Sequence, residues 1–504
     1  MKARDGSHGG AEAEAAINRF LSASRQPALL EPGEEPLPLQ PDTHALEWRA
    51  GRLMMQAWSE TRNLARRVTA VREEKPGRLE LVVERFGKRE GRLFLIDLAR
   101  AWRPAVERRS ERLVLRELFR RSLHRQFPEW KIAELSSEPN LEESLSPAYP
   151  RALLKQGASG WAALASSPDP GAAAGALSFG LIWLDYLRRR ERRLTVEGLA
   201  IFLPDGQERG TCLRLPFLDP AVARFVVYVY SPEGYEEAVD PRDYWNLDTH
   251  LENLNAPRPE RPLHLDAWVE RLARLPAVEK VPRNDGSVSL RVRGLEFARA
   301  TRSQLLFGLE KRTAAGERNL AEIERLAAGM ARLRAAEPAD RDNPIYRLQP
   351  ERWIEGRVRA SIERIDATLL PSPVYSQVPV LAGGERGIMD LVAVDGAGRL
   401  AVLELKVGED IHLPLQALDY WMRVKWHLER GEFTERGYFP GIALRPDSPR
   451  LLLIAPALEF HPTTEVILRY FSPGVDIERI GLGVEWRKEI EVAFRACGAA
   501  KPDR

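Results

Sequence analysis

Asp390, Glu404 and Lys406 are the residues of this 504-residue chain whose types and spacing best suit chemistry. They fall in residues 386–423, RGIMDLVAVDGAGRLAVLELKVGEDIHLPLQALDYWMR. Segments 387–394 and 399–407 are rich in Val, Leu and Ile, and the Asp-Gly-Ala-Gly between them signals a hairpin. With Gly396, Ala397 and Gly398 as the loop, Asp395 pairs with Arg399, and counting back along both strands sets Asp390 opposite Glu404. Side chains alternate along a strand, so Glu404 and Lys406 share a face while Leu403 and Leu405 point to the other. Adjacent carboxylates repel unless a cation lies between them, and a hard divalent ion held by oxygen, magnesium best, answers that need. The chemistry that follows is metal-assisted attack of water on a phosphodiester, with the lysine orienting or activating the water and neutralising developing charge.

An aspartate on one strand and Glu-x-Lys on the next resembles the signature of the PD-(D/E)XK nuclease superfamily. Gln416-Ala-Leu-Asp-Tyr420 on the following helix resembles the Gln-xxx-Tyr extension of its RecB-like and NucS-like members. The resemblance covers the C-terminal third of the chain. It implies an α/β, restriction-endonuclease-like core, a mixed central sheet flanked by helices, with Mg2+ or Mn2+ as cofactor. It also implies Asp390 and Glu404 as metal ligands, the Leu405 carbonyl as a third, and Lys406 as the catalytic lysine. Gln416 and Tyr420, one helical turn apart, would face the site and touch substrate. Members often add a glutamate from the helix before the first strand; Glu355 and Glu363 both qualify, and Glu355 is preferred. Met389 stands where the family motif has proline. The implied substrate is DNA, leaning towards single-stranded, branched or end-containing forms in repair or defence.

Glu-x-Lys also occurs at residues 73–75, in a charged stretch ending at Pro76, so the tripeptide informs only through its strand context. Two other classes remain open. One is a nuclease-like module that binds DNA or assembles without cutting. The other is a restriction-type effector whose partner subunit reads the sequence, and a homodimer is equally open.

The elements that must position these residues are a helix at 350–365, strands at 374–381, 387–394 and 400–407, a helix at 414–430 and a strand at 450–457. A helix at 463–471 and a strand at 476–484 extend them. The strands are apolar at nearly every position, LLLIAPAL most clearly, so helices should cover both faces of the sheet. His412 and His461 fall nearby and are assigned no role.

The length suits two or three domains. A net charge of +2 excludes a uniformly basic DNA-coating protein, but the charge is uneven. Residues 49–130 hold 21 Lys or Arg against 11 Asp or Glu, whereas 341–504 hold 22 against 24. Attraction for a polyanion would therefore come from the N-terminal side and weaken as salt rises. A helix at 107–127 sets Leu115, Leu118 and Phe119 on one side and Arg109, Arg112, Arg116 and Arg120 on another, making Arg112, Arg116 and Arg120 candidates for DNA-backbone contacts.

Four segments are expected: a flexible arm at 1–42, a basic α/β or α+β domain at 43–252 that recruits nucleic acid or a partner, a linker and small connecting module at 253–340, and the catalytic domain at 341–504. The first region carries no Walker loop, Rossmann fingerprint or nucleophile elbow. Cys212 and Cys497 lie far apart without metal-type spacing, which points to a reducing cytoplasm. No apolar run reaches about 18 residues, so no membrane span is expected.

Overall fold

The computed structural model describes residues 6–500 except 31–35, 40–42, 50–51, 59–62, 76, 86–88, 99–101, 232–235, 245, 248, 256–260, 284–285, 310 and 383–384. It is a mixed α/β chain of two compact units, Met1–Val114 and Leu115–Arg504.

In the first unit the helix Gly6–Ala23 covers a seven-stranded sheet. The strands Arg78–Arg85 and Arg89–Asp97 pair as the expected hairpin, whose loop at 86–88 lies outside the described residues. The flexible arm expected at 1–42 is corrected: Ala13, Ala16, Ile17 and Phe20 recur at helical spacing and are buried with Leu53, Met55, Leu81 and Leu93. Pro27–Leu30 also joins the sheet, antiparallel to Arg89–Asp97. Alanines form most of that helical stripe, so a reading weighted towards large apolar side chains passes over it.

The second unit holds three sheets. The first runs Glu236–Val239, Arg224–Tyr230, Thr195–Pro204, Ser159–Ala165, Arg151–Gln156 and Lys131–Ser136, with Thr195–Pro204 parallel to both its neighbours. Its apolar runs are buried on both faces, as parallel strands usually are. Phe119 and Leu123 of helix Trp102–Gln126 pack with Leu154, Ala163 and Phe202 on one face. Leu177, Leu181 and Leu184 of helix Pro170–Arg190 pack with Leu153, Leu164 and Ile201 on the other. Leu118, placed by periodicity on the packed side of its helix, is exposed instead.

The core around Pro170–Arg190 continues to Leu418, Trp421 and Val424 of helix Leu413–Glu429 and to Val402 and Leu453 of the C-terminal sheet. Arg214 Nε and Nη2 donate to Asp419 Oδ1 and Oδ2 at 2.8 and 2.7 Å across the same junction. The expected boundary at 252/253 is therefore corrected: residues 115–252 and 341–504 share one apolar interior. Within the proline-punctuated stretch at 253–263, residues 256–260 lie outside the described residues. Residues 341–504 expressed alone should aggregate or lose a cooperative melt, because half of that interior would face water. A soluble, cooperatively melting fragment by calorimetry would show the shared core to be dispensable.

The second sheet is a small antiparallel one, Val278–Pro282, Val288–Val292, Leu295–Ala300, Leu305–Phe307 and Thr313–Ala314. Helices Leu263–Ala273 and Leu320–Leu333 pack on it. The third runs in chain order through Tyr375–Ala382, Glu385–Val394, Leu400–Leu405, Arg450–Pro456, Asp476–Leu482 and Val492–Cys497. Its first three strands form an antiparallel meander, two parallel steps follow, and the last strand is antiparallel. Trp353, Ile354 and Val358 of helix Pro350–Ala360 pack on one face with Leu391, Leu403 and Leu452, and Leu413–Glu429 covers the other. Among the described residues no helix is long and apolar enough to cross a membrane.

Candidate functional site

The 396–398 turn sets the geometry of the site. Asp395 Oδ1 accepts from the amides of Ala397 and Arg399, both at 2.9 Å, while Asp395 N donates to Arg399 O at 2.9 Å. Gly398 takes φ +88°, and a Cβ there would lie 2.1 Å from Ala443 O, so only glycine fits. This turn fixes Val394 opposite Leu400 and Leu391 opposite Leu403. The next step in register brings Asp390 to Glu404 at the end of the ladder. There Asp390 Oδ2 accepts from Leu405 N at 3.0 Å, so the Leu405 peptide, expected to offer its carbonyl, contributes its amide.

Charge accumulates in this corner. Glu404 is 3% exposed on a strand paired on both sides, and its Oε2 is buried without a hydrogen-bond partner. Burial, then the neighbouring Asp390 charge, pushes the Glu404 carboxyl well above its ordinary pKa. Burial and then Glu355 raise Asp390 to about 7. Glu355 is 2% exposed on Pro350–Ala360 and accepts from Arg352 Nη1 at 2.8 Å. The structure thus brings Glu355 to the aspartate, whereas Glu363 is exposed on the short helix Ile362–Ile365.

Lys406 Nζ stands 3.5 Å from Asp410 Oδ2 and 3.8 Å from Glu351 Oε1. Burial works against its charge, but Glu351, Glu404, Asp410 and Asp390 together outweigh that effect and raise the ammonium's pKa. On Leu413–Glu429, Tyr420 is buried; burial, then the Glu404 charge, raises its hydroxyl, and the Gln416 side chain hydrogen-bonds it. Gln416 and Tyr420 therefore occupy the wall of the carboxylate site, one turn apart as expected.

Arg116 and Arg120 are not brought there. Their helix packs on the face of the first sheet away from Pro170–Arg190. With His124, Trp130 and Lys131 they line a separate open cleft of about 630 Å³, and Arg120 pairs with Glu117 at 3.0 Å. Arg112 belongs to the other unit. The basic run at 188–190 is likewise engaged locally: Arg188 donates to the Val196 and Val222 carbonyls, and Arg189 and Arg190 pair with Glu143 and Glu134.

Sequence reasoning missed Glu351, Arg352 and Asp410. The available signal was spacing: Glu351 and Glu355 lie four apart on one helix, and Asp410 lies four after Lys406. Among the described residues no group of three or more His, Cys, Asp or Glu side chains is arranged to hold a metal ion. What the chain offers is a pair, Asp390 and Glu404, with one buried carboxylate oxygen lacking a donor. Buried polar atoms are rarely left so, and all-oxygen donors of this charge fit a hard divalent cation. Compared with known proteins, the chain matches no family model and no curated protein.

Proposed function

We propose that this chain is a metal-dependent nuclease that hydrolyses DNA phosphodiester bonds at Asp390, Glu404 and Lys406. The observation that carries the reading is the unpartnered, buried Glu404 Oε2 in register with Asp390 on the neighbouring strand. The order helix, three-stranded meander, helix, parallel strand supports a restriction-endonuclease-like core.

Asp390 and Glu404 would hold Mg2+ or Mn2+, with Glu355 behind Asp390; the bound ion would supply charge stabilisation at the phosphate and a more acidic water. Lys406, held as an ammonium by four carboxylates, orients the attacking water and neutralises charge on the phosphoryl oxygens rather than abstracting a proton. Gln416 and Tyr420 offer an amide and a hydroxyl to the substrate from the helix wall. Leu405 N holds the Asp390 carboxylate in one orientation. Helices packed on both faces of the sheet keep the acidic pair out of bulk water, which strengthens each of these electrostatic terms.

The test is cleavage of labelled single-stranded, duplex and forked DNAs by the purified full chain with Mg2+ or Mn2+. Cutting by the wild type, lost in Lys406→Ala, is expected, and the preferred substrate then names the DNA form. Metal binding without cutting would point to a missing partner subunit. Neither binding nor cutting would favour a non-catalytic assembly module.

A further inference from the structure

The small sheet between residues 278 and 314 was expected to be a connector. Its contacts are with the helix that carries Glu355. The turn between Val288–Val292 and Leu295–Ala300 contains Gly294 at φ +81°, and a Cβ there would lie 2.4 Å from the Arg352 carbonyl and 2.6 Å from Trp353 N. The turn therefore presses on the backbone of Pro350–Ala360 as closely as a chain can. One strand back, Arg291 stands opposite Glu279 across the ladder. The Glu279 carboxylate lies under the same helix: a Cβ on Gly356 would be 3.0 Å from its Oε2, and Arg359 Nη2 is 3.9 Å from that oxygen. Arg291 is only 6% exposed, and its Nε donates to the fully buried Ser289 Oγ at 3.0 Å.

We propose that Arg291 is a positioning residue for the candidate site: from the small sheet it holds the Glu355 carboxylate against Asp390, so that residues 278–314 complete the site. The proposal rests on the nuclease reading above. Burial disfavours the Arg291 charge, and Glu355 is the group that does most to restore it. Arg352 grips Glu355 from its own helix at 2.8 Å, so two guanidinium groups from different elements fix one carboxylate. A charge pair of this kind sets where a ligand or its neighbour points, which is how groups behind a metal site tune affinity.

The test uses the full chain as wild type, Arg291→Met, Glu355→Gln and the double variant, each titrated with Mn2+ by paramagnetic resonance and melted in EDTA. Arg291→Met is expected to weaken Mn2+ binding roughly 10-fold. Glu355→Gln should weaken it at least as much, and the double variant should bind no worse than Glu355→Gln alone, because Arg291 acts through that carboxylate. Multiplied effects, or unchanged Mn2+ affinity in Arg291→Met, would overturn the proposal. Arg291→Lys keeps a charge in the same place and is expected to recover part of the affinity; recovery no better than in Arg291→Met would also count against it. In EDTA, Arg291→Met should lower the melting temperature less in the Glu355→Gln background than in the wild type, whether or not DNA is cut. Coupled variants on a wild type that binds Mn2+ yet cuts no DNA would overturn the nuclease reading alone, while a wild type that binds no Mn2+ would overturn both.

Discussion

Asp390→Asn is expected to raise the melting temperature of the metal-free protein by roughly 5 °C at pH 8 while abolishing cleavage. The asparagine keeps an oxygen to accept from Leu405 N but removes a charge that burial and Glu355 oppose. A carboxyl raised from 3.8 to about 7 costs the folded state on the order of 4 kcal/mol once both forms are ionised. The sign follows from proton binding. Between pH 4 and 7 the folded protein holds more protons at Asp390 than the unfolded chain, so stability falls as pH rises through that window, and Glu404 adds in the same direction. The wild type in EDTA should therefore gain stability as pH falls from 8 towards 5, and Asp390→Asn should gain less. Mn2+ should stabilise the wild type at pH 8 and leave the variant almost unchanged, since only a native-state ligand raises the melting temperature. Scanning calorimetry of both proteins with EDTA and with Mn2+ tests this; a variant melting below the wild type in EDTA would mean that Asp390 is a satisfied structural residue.

Lys406→Ala is expected to lower the rate of DNA cleavage by about 10³-fold or more under single-turnover conditions, equivalent to ~4 kcal/mol of transition-state stabilisation. Its ammonium is the one cation that Glu351, Glu404, Asp410 and Asp390 all stabilise. Alanine would also leave those carboxylates uncompensated, so a fall in melting temperature should accompany the loss. Lys406→Arg separates the two effects. It restores net charge, and hence stability, but its planar fork cannot place a point charge where the ammonium stands, so cleavage should stay at least tenfold down. Cleavage within threefold of wild type in Lys406→Ala would remove the lysine from the mechanism.

The hairpin was legible because its determinants are local: Asp395, Gly396 and Gly398 specify a turn, the turn specifies a register, and the register places Asp390 beside Glu404. The same holds for Gln416 and Tyr420, which are related by one helical turn. Glu355 could be proposed but not separated from Glu363, because the choice depends on which side of Pro350–Ala360 faces the sheet. Arg291 could not be found at all. Its role arises from a turn 60 residues before Glu355 pressing on a helix, and no local pattern encodes that approach. The domain boundary failed for a related reason. The prolines near residue 260 look like a linker, but the apolar side of Pro170–Arg190 has its counterpart more than 200 residues later.

That last pairing has a consequence for how the protein is made. Arg214 meets Asp419 across 205 residues of chain. At ribosomal rates of about 5–20 residues per second, the first sheet and its helix emerge roughly 10–40 s before the segment that covers them. During synthesis an apolar helix face waits in water, a natural binding place for a holding chaperone. The acidic corner at Asp390 and Glu404 also cannot close until its strands reach this earlier-formed surface. The active form would thus arise only late in translation, sparing the cell a nuclease released from a half-made chain.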